Sequence, residues 1–189
     1  MKRVLIFASG SGTNADNICR YFAKDNNVRV VGLFCNNAQA GVIPKMEKWN
    51  IPVEVFTRKQ LNDEDSFMSL IQKYQPDVIV LAGFLLLIPA YLVQQFPNRI
   101  INIHPALLPK YGGKGMYGHH VHEAVLAQKE QEHGITIHLV NEKFDEGAHL
   151  FQQSFKVTPK DDMESVAGKI SILEMTHFPK VIEEYLRSM

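Results

Sequence analysis

Asn102 and His104 are two polar residues inside an otherwise apolar run, Ile-Ile-Asn-Ile-His-Pro. In a β-strand, residues two apart point to the same face, so a strand here presents both side chains together. An asparagine amide can stabilise a developing oxyanion, and an imidazole can move a proton near neutral pH. The pair therefore predicts a catalytic site. The alternative is a structural Asn and His that bond to loop backbone, because buried polar groups need partners.

A downstream carboxylate is a candidate partner for this histidine. Asp145 lies in a short loop, Phe-Asp-Glu-Gly, after an apolar strand that carries His138. A carboxylate in contact with His104 would fix its tautomer and raise its pKa. The alternative role for Asp145 is that of a turn residue before Gly147.

A second candidate site is the turn Ser-Gly-Ser-Gly-Thr-Asn at residues 9–14. A glycine-bearing turn between a strand and a helix presents free backbone N–H groups, which bind anions. The spacing Gly10-x-Gly12-x-x-Ala15 also fits the loose dinucleotide fingerprint, but the second strand ends in Cys-Asn-Asn, without the acid that would hold a ribose. The turn favours a phosphate monoester, with a purely steric role for its glycines as the alternative.

The elements that must position these residues alternate between strand and helix with short connections. This alternation predicts an α/β fold with a doubly wound, mostly parallel, Rossmann-like sheet flanked by helices. In such sheets, ligands bind at the carboxyl ends of the strands, where both candidate sites lie. The predicted parallel strands are Val4–Ala8, Val28–Cys35, Val53–Phe56, Val78–Leu81 and Ile100–His104, with helices at 14–22, 44–49 and 64–74.

The last third of the chain has a different pattern. Two apolar runs, Gly134–Val140 and Phe151–Val157, have no helix between them and predict an antiparallel portion of the sheet. A long helix is predicted over Met163–Leu186, with Pro179 as a candidate kink.

Length and composition exclude several classes of protein. The 189 residues fit one domain, residues 1–189, and the formal net charge of zero argues against a non-specific nucleic-acid binder. No apolar run approaches the roughly 20 residues that cross a bilayer, and the first one is too short for a signal peptide. Two cysteines do not form a disulfide framework, so we expect a cytoplasmic protein.

With these residues in view, the chain resembles the phosphoribosylglycinamide formyltransferases, a family of folate-dependent enzymes. The matching segments cover nearly the whole chain in the family's order and read SGSGTN, PDVIVLAGFLLLIP, INIHPALLPKYGG, HGITIHLV and FDEGAHLFQQ. The resemblance implies transfer of the formyl group of 10-formyltetrahydrofolate to the amine of 5'-phosphoribosylglycinamide, in purine nucleotide biosynthesis. It also implies direct amine attack through a tetrahedral intermediate.

The resemblance further implies roles for individual residues. His104 resembles the general acid/base, Asn102 the donor to the formyl oxygen, and Asp145 the carboxylate that tunes His104. The residues implied to hold the substrate's phosphate and ribose are Gly12, Thr13, Asn14, Ala15, Asp16 and Glu174. Those implied to hold the folate are Leu85, Leu86, Leu87, Ile88, Asn102, Glu142, Lys143, Phe144 and Asp145, with Glu64 as a weak candidate. The family often has arginine where Leu86 stands and a basic residue near Glu64.

The segment Gly112–His120 is several residues longer than the family's, and its four glycines suit a mobile lid. His119, His120 and His122 form an incomplete set of metal ligands, so no metal is expected and a solvated helix start is the alternative.

We expect small-molecule substrates, no nucleic-acid or membrane partner, and a monomer or weak homodimer. The alternative functions are another folate formyl enzyme, such as a formyltetrahydrofolate hydrolase, and a nucleotide-binding dehydrogenase-like module.

Overall fold

The computed structural model describes residues 1–189 and contains one seven-stranded sheet flanked by helices. The strands are β1 (Lys2–Ala8), β2 (Val28–Cys35), β3 (Val53–Val55), β4 (Val78–Leu81), β5 (Ile100–His104), β6 (Glu132–Leu139) and β7 (His149–Lys156). The helices are α1 (Thr13–Phe22), α2 (Val42–Glu47), α3 (Arg58–Leu61), α4 (Glu64–Gln72), α5 (Ala90–Gln95), α6 (His119–Ala127) and α7 (Met163–Ser188).

The strands lie in the order β3-β2-β1-β4-β5-β6-β7. The first five strands are parallel, and β6 and β7 are antiparallel to their neighbours. The predicted doubly wound sheet with an antiparallel carboxyl-terminal portion is therefore confirmed. The order reverses direction between β1 and β4, which opens a crevice at the carboxyl ends of these strands.

Each face of the sheet is covered by its own hydrophobic core, and β1 contributes to both. Val4, Ile6 and Ala8 pack into the core formed with α1 and α7, whereas Leu5 and Phe7 pack into the core formed with α4 and α5. This follows from the two-residue period of a strand that is buried on both faces. The strand that carries the glycine turn is therefore held on both sides.

Two short helices, α3 and α5, were not predicted. Local signals decide both: Thr57 and Gln60 form a reciprocal capping box at α3, and Pro89 precedes the first residue of α5. Neither helix is long enough to show the apolar period by which longer helices are recognised.

Helix α7 is continuous through Pro179. Proline has no N–H, so the carbonyl four residues earlier loses its helical donor. That carbonyl belongs to Met175 and accepts a hydrogen bond from Asn17 Nδ2 of α1 at 2.8 Å. A partner from another helix thus satisfies the group that the proline leaves free. None of the helices is both long and apolar enough to span a membrane.

Candidate active site

The predicted catalytic residues meet where β5 and β6 pair. Asn102 and His104 lie on β5, the antiparallel register places His138 of β6 opposite Asn102, and Asp145 comes from the loop after β6. His104 and His138 are only 4% and 1% exposed, so the group is nearly closed to bulk water. Together these four residues form the catalytic corner.

Asp145 is the centre of the catalytic corner. Its carboxylate lies 3.7 Å from His104 Nδ1 and 3.6 Å from His138 Nε2. These gaps exceed hydrogen-bond length, so the carboxylate acts on both imidazoles mainly through its charge. The hypothesised meeting of Asp145 and His104 is thus present in the fold, although 40 residues separate them in the chain.

Backbone carbonyls set the orientation of both imidazoles. His104 Nε2–H donates to the Tyr111 carbonyl at 2.7 Å, which turns Nδ1 towards Asp145. His138 Nδ1–H donates to the Leu139 carbonyl at 2.9 Å, which leaves Nε2 to accept from Asn102 Nδ2 at 3.1 Å. The Asn102 amide is therefore oriented by a histidine. No role was predicted for His138, because only the register of β6 against β5 brings it to Asn102.

Asp145 raises the pKa of His104, as expected, but this charge does not set the net direction. Burial lowers this pKa below its ordinary value, and the attraction of the Asp145 charge offsets only part of the effect. His104 is therefore a neutral imidazole at physiological pH, with the Nδ1 lone pair facing the carboxylate. Burial also raises the pKa of Asp145, but His138, His104 and the Gly113 N–H outweigh it, so the pKa is lowered overall and the carboxylate is ionised.

The backbone around Asp145 is specialised for this position. Asp145 has a φ of 55°, in the left-handed region that aspartate tolerates better than most residues. The Gly113 N–H donates to its Oδ2 at 2.9 Å. A Cβ at Gly112 would lie 2.7 Å from Leu108 Cδ2 and 3.2 Å from Asp145 Cβ, so a larger residue here would press on both side chains. The amino-terminal end of the glycine segment, residues 112–120, therefore supports the carboxylate.

The glycine turn after β1 has the geometry of an anion site. Gly12 is the N-cap of α1 with a φ of 76°, and no side chain bonds the free N–H groups of the first helical turn. A Cβ at Gly12 would collide with Val42 of α2. The helix dipole adds partial positive charge at this point. Thr13, Asn14 and Ala15 supply the free N–H groups, and phosphate binding at this turn stays a prediction.

Asn14 and Glu174 form a polar pair beside this turn. Asn14 Nδ2 donates to Glu174 Oε2 at 2.9 Å, although the two residues are 160 positions apart. The other amide atom, Asn14 Oδ1, is buried without a hydrogen-bond partner. A buried acceptor in this state costs about 1–3 kcal/mol, so the pair is suited to a ligand that brings a donor. Burial raises the pKa of Glu174 above its usual value.

The Asp16 carboxylate is engaged within the protein. Its Oδ1 accepts a hydrogen bond from Trp49 Nε1 at 2.8 Å and lies 3.9 Å from Lys48 Nζ. These contacts offset a negative charge in the first turn of α1, close to the predicted anion.

Both segments predicted to hold the folate are connected to α5, one through the chain and the other through a hydrogen bond. Leu86 and Val140 pack against the same hydrophobic core as α5, and Gln94 of α5 donates to Glu142 at 2.9 Å. Residues 85 and 87 expose their side chains beside this helix, as does Phe144 in the other segment. Exposed apolar side chains such as these are suited to contact a flat aromatic ring system.

Other predicted folate residues are Glu64, Lys143 and Leu86. Glu64 is exposed at the start of α4. The pKa of Tyr91 on α5 is raised, first by burial and then by the nearby charge of Glu64. Lys143 is exposed and pairs with Glu146 at 3.1 Å. Leu86 packs against the hydrophobic core. Because leucine is uncharged, this position does not supply the cation that the family often has for the folate tail.

The three clustered histidines separate into two environments. His119 and His120 are exposed at the start of α6, whereas His122 is buried and its Nδ1 lies 3.0 Å from Nε2 of buried His133. The alternative of a solvated helix start is therefore wrong for His122. Burial lowers the pKa of both residues in this pair, that of His133 to about 4.

Comparison with known proteins identifies the family of this chain. The model of the family described as Formyl transferase matches residues 2–182. The chain is 32% identical to phosphoribosylglycinamide formyltransferase of Bacillus subtilis, over 98% of this chain and 95% of that protein. It is 40% identical to the chloroplastic enzyme of that name from Arabidopsis thaliana, over 89% of this chain but only 60% of the longer relative.

A solved structure, glycinamide ribonucleotide transformylase 1 from Geobacillus kaustophilus, superimposes with a TM-score of 0.89 at 31% identity, covering 98% of this chain and 99% of that one. The fold is that of the formyl transferases. The chain belongs to the formyl transferase family, and its relatives of similar length are phosphoribosylglycinamide formyltransferases. The predicted family is thereby confirmed, and the dehydrogenase-like alternative is not favoured.

Proposed function

We infer that this protein transfers the formyl group of 10-formyltetrahydrofolate to the amine of 5'-phosphoribosylglycinamide. The observation that carries the inference is the catalytic corner, in which one ionised carboxylate lies within 3.7 Å of two buried imidazoles beside an oriented asparagine. This arrangement suits a reaction that creates an oxyanion and moves one proton. A protein that only binds phosphate would not require the catalytic corner.

The first step forms a bond from the substrate amine to the formyl carbon and places negative charge on the formyl oxygen. Asn102 Nδ2 donates to this oxygen, and removal of such a donor typically costs about 10²–10³ in rate. Because His138 holds the amide, little reorganisation is needed as the charge develops. A neutral amine is already a good nucleophile, so the reaction needs no covalent enzyme intermediate.

The second step moves the amine proton. Neutral His104 accepts it, and ionised Asp145 stabilises the imidazolium that results. His104 then delivers this proton to the folate nitrogen while the bond from that nitrogen to the formyl carbon breaks. The products are formylglycinamide ribonucleotide and tetrahydrofolate, and these steps use no metal ion.

The substrates are assigned to opposite ends of the crevice. The phosphate of the ribonucleotide binds the N–H groups of Thr13, Asn14 and Ala15, while Glu174 and Asn14 Oδ1 receive donors from its ribose or amine. The folate binds between residues 85–88 and 142–145. The catalytic corner is on β5 and β6, next to β4, which precedes one folate segment, and two strands from β1, which precedes the phosphate turn.

A two-substrate assay tests the function directly. Purified protein is mixed with 10-formyltetrahydrofolate and glycinamide ribonucleotide, and formation of tetrahydrofolate is followed by absorbance. We expect turnover only when both substrates are present. Folate product formed without the ribonucleotide would instead show a hydrolase, and binding of a nicotinamide cofactor in a parallel titration would favour the dehydrogenase-like alternative.

A further inference from the structure

Asn17 connects α1 to the backbone of α7 at the place where α7 lacks a hydrogen bond. Pro179 has no N–H for the Met175 carbonyl, and Asn17 Nδ2 donates to this carbonyl at 2.8 Å. The Asn17 side chain is buried, so water does not compete freely for the carbonyl. The contact therefore supplies a bond that the helix cannot make for itself.

The orientation of the Asn17 amide is determined by a second contact. Arg20 donates from a guanidinium nitrogen to Asn17 Oδ1 at 2.8 Å. Because arginine only donates, the oxygen of Asn17 faces Arg20 and the NH₂ group faces Met175. The amide is thus preset as a donor towards α7.

This contact lies one helical turn from the substrate-binding pair. Asn14 and Asn17 are three residues apart and share a face of α1, while Glu174 directly precedes Met175 on α7. Asn14 Nδ2 holds the Glu174 carboxylate, and Asn17 Nδ2 holds the adjacent backbone. The two bonds together restrict sliding and rotation of this turn of α7 against the start of α1.

We propose that Asn17 is a positioning residue for substrate binding, which holds Glu174 at the ribonucleotide end of the crevice through the carbonyl that Pro179 leaves free. The proposal rests on the function inferred above, in which Glu174 and the N-terminus of α1 bind the same substrate. Without Asn17, the turn that carries Glu174 lacks both its helical donor and its substitute. The carboxylate is then held to the phosphate site by Asn14 alone, on a less firmly positioned turn.

The test compares steady-state constants for both substrates in the wild type and in Asn17→Leu. Leucine is close to asparagine in shape and adds no charge near the phosphate site. We expect the KM for glycinamide ribonucleotide to rise about five-fold, the size of one lost hydrogen bond, while kcat and the KM for 10-formyltetrahydrofolate stay within about two-fold. A general loss of packing would lower kcat or affect both KM values.

Tyr21→Phe is the matched control. Tyr21 of α1 donates to Glu183 of α7 at 2.6 Å, so this variant also removes a hydrogen bond between the two helices, but away from Glu174. We expect its KM for the ribonucleotide to stay within about two-fold of the wild type. An equal rise in Tyr21→Phe and Asn17→Leu would overturn the proposal.

Pro179→Ala provides the second part of the test. An alanine N–H at this position can donate to the Met175 carbonyl within the helix, so the carbonyl no longer depends on Asn17. In the Pro179→Ala background, we expect Asn17→Leu to change the KM for the ribonucleotide by less than about two-fold. A five-fold effect that persists in this background would contradict the role assigned to Pro179.

The outcomes separate this proposal from the function on which it rests. Absence of wild-type turnover would overturn both. Wild-type turnover combined with an unchanged KM in folded Asn17→Leu, as judged by a cooperative thermal transition, would overturn only the positioning role.

Discussion

The catalytic corner and the glycine segment meet at one hydrogen bond, Gly113 N–H to Asp145, yet they are built in opposite ways. The corner comes mainly from paired strands, and its two histidines are buried and bonded to backbone carbonyls. The glycine segment is largely exposed, and a Cβ at Gly113, Gly115 or Gly118 would meet no neighbouring atom. Strand register thus preorganises the chemistry, while the adjoining backbone has room to change conformation.

This contrast predicts different consequences of substitution. A change in the corner should lower kcat with little effect on folding, because the strands that carry it are packed on both faces. A change in the exposed part of the glycine segment should have small effects on kcat and on folding.

Removal of the proposed acid/base should have the largest effect. We expect His104→Ala to lower kcat by about 10²–10⁴, because it removes proton transfer while the substrate surfaces remain. Steady-state assays at saturating substrates provide the measurement. His119→Ala, in the glycine segment, is the control and should keep kcat within about two-fold. Near wild-type turnover by His104→Ala would end the catalytic assignment.

Asp145→Asn should lower kcat by about 10²-fold and also change its pH dependence. The Asp145 charge raises the pKa of His104 against the larger lowering effect of burial. Loss of this charge therefore lowers the pKa further, and the acid limb of the kcat profile should move to lower pH. An acid limb that stays in place, or moves to higher pH, would show that Asp145 does not tune His104.

The buried pair His122–His133 should make the protein sensitive to acid. Burial, and then the charge of His122, lower the pKa of His133 from 6.5 to about 4. Between these values the unfolded chain binds more protons than the folded protein, so the free energy of unfolding falls as pH falls through this window. The contribution of His133 is on the order of 3 kcal/mol.

Urea unfolding of the wild type and His133→Gln at pH 7 and near pH 4 measures this effect. We expect the variant to lose less stability than the wild type between the two conditions, because glutamine does not titrate. His119→Gln, an exposed substitution, should lose as much as the wild type. Equal losses of stability in all three proteins would contradict the role of His133 in acid sensitivity.

The smallest expected effects come from substitutions of two glycines in the glycine segment, Gly115 and Gly112. Gly115 has a φ of +88° with open space around it, so Gly115→Ala should cost about 1 kcal/mol of stability and leave kcat within about two-fold. Gly112 packs against Asp145, so Gly112→Ala should displace the carboxylate and lower kcat about ten-fold. Kinetics and thermal unfolding of the pair measure both effects. Equal kcat values would mean that Gly112 does not support the corner.

Much of this protein could be predicted from local patterns in the sequence. Continuous apolar runs identified the buried parallel strands, because side chains on a strand covered on both faces have no polar side. The two-residue period placed Asn102 and His104 on one face, and the glycines after β1 indicated a turn with free backbone N–H groups at the start of a helix. Each of these conclusions depends on residues within about ten positions of one another, and for such residues backbone geometry is sufficient.

Only the tertiary structure decided which distant groups meet and how their protons are shared. The register of β6 brought His138 to Asn102, and the loop after β6 brought Asp145 to His104. The net pKa of His104 could not be predicted from the Asp145 contact, because burial, a property of the whole fold, outweighs the nearby charge. Asn17 has no local signal at all: its partner is a carbonyl freed by a proline more than 150 residues away. Interaction energies of this kind depend on distance and solvent exclusion in three dimensions, which sequence spacing does not contain.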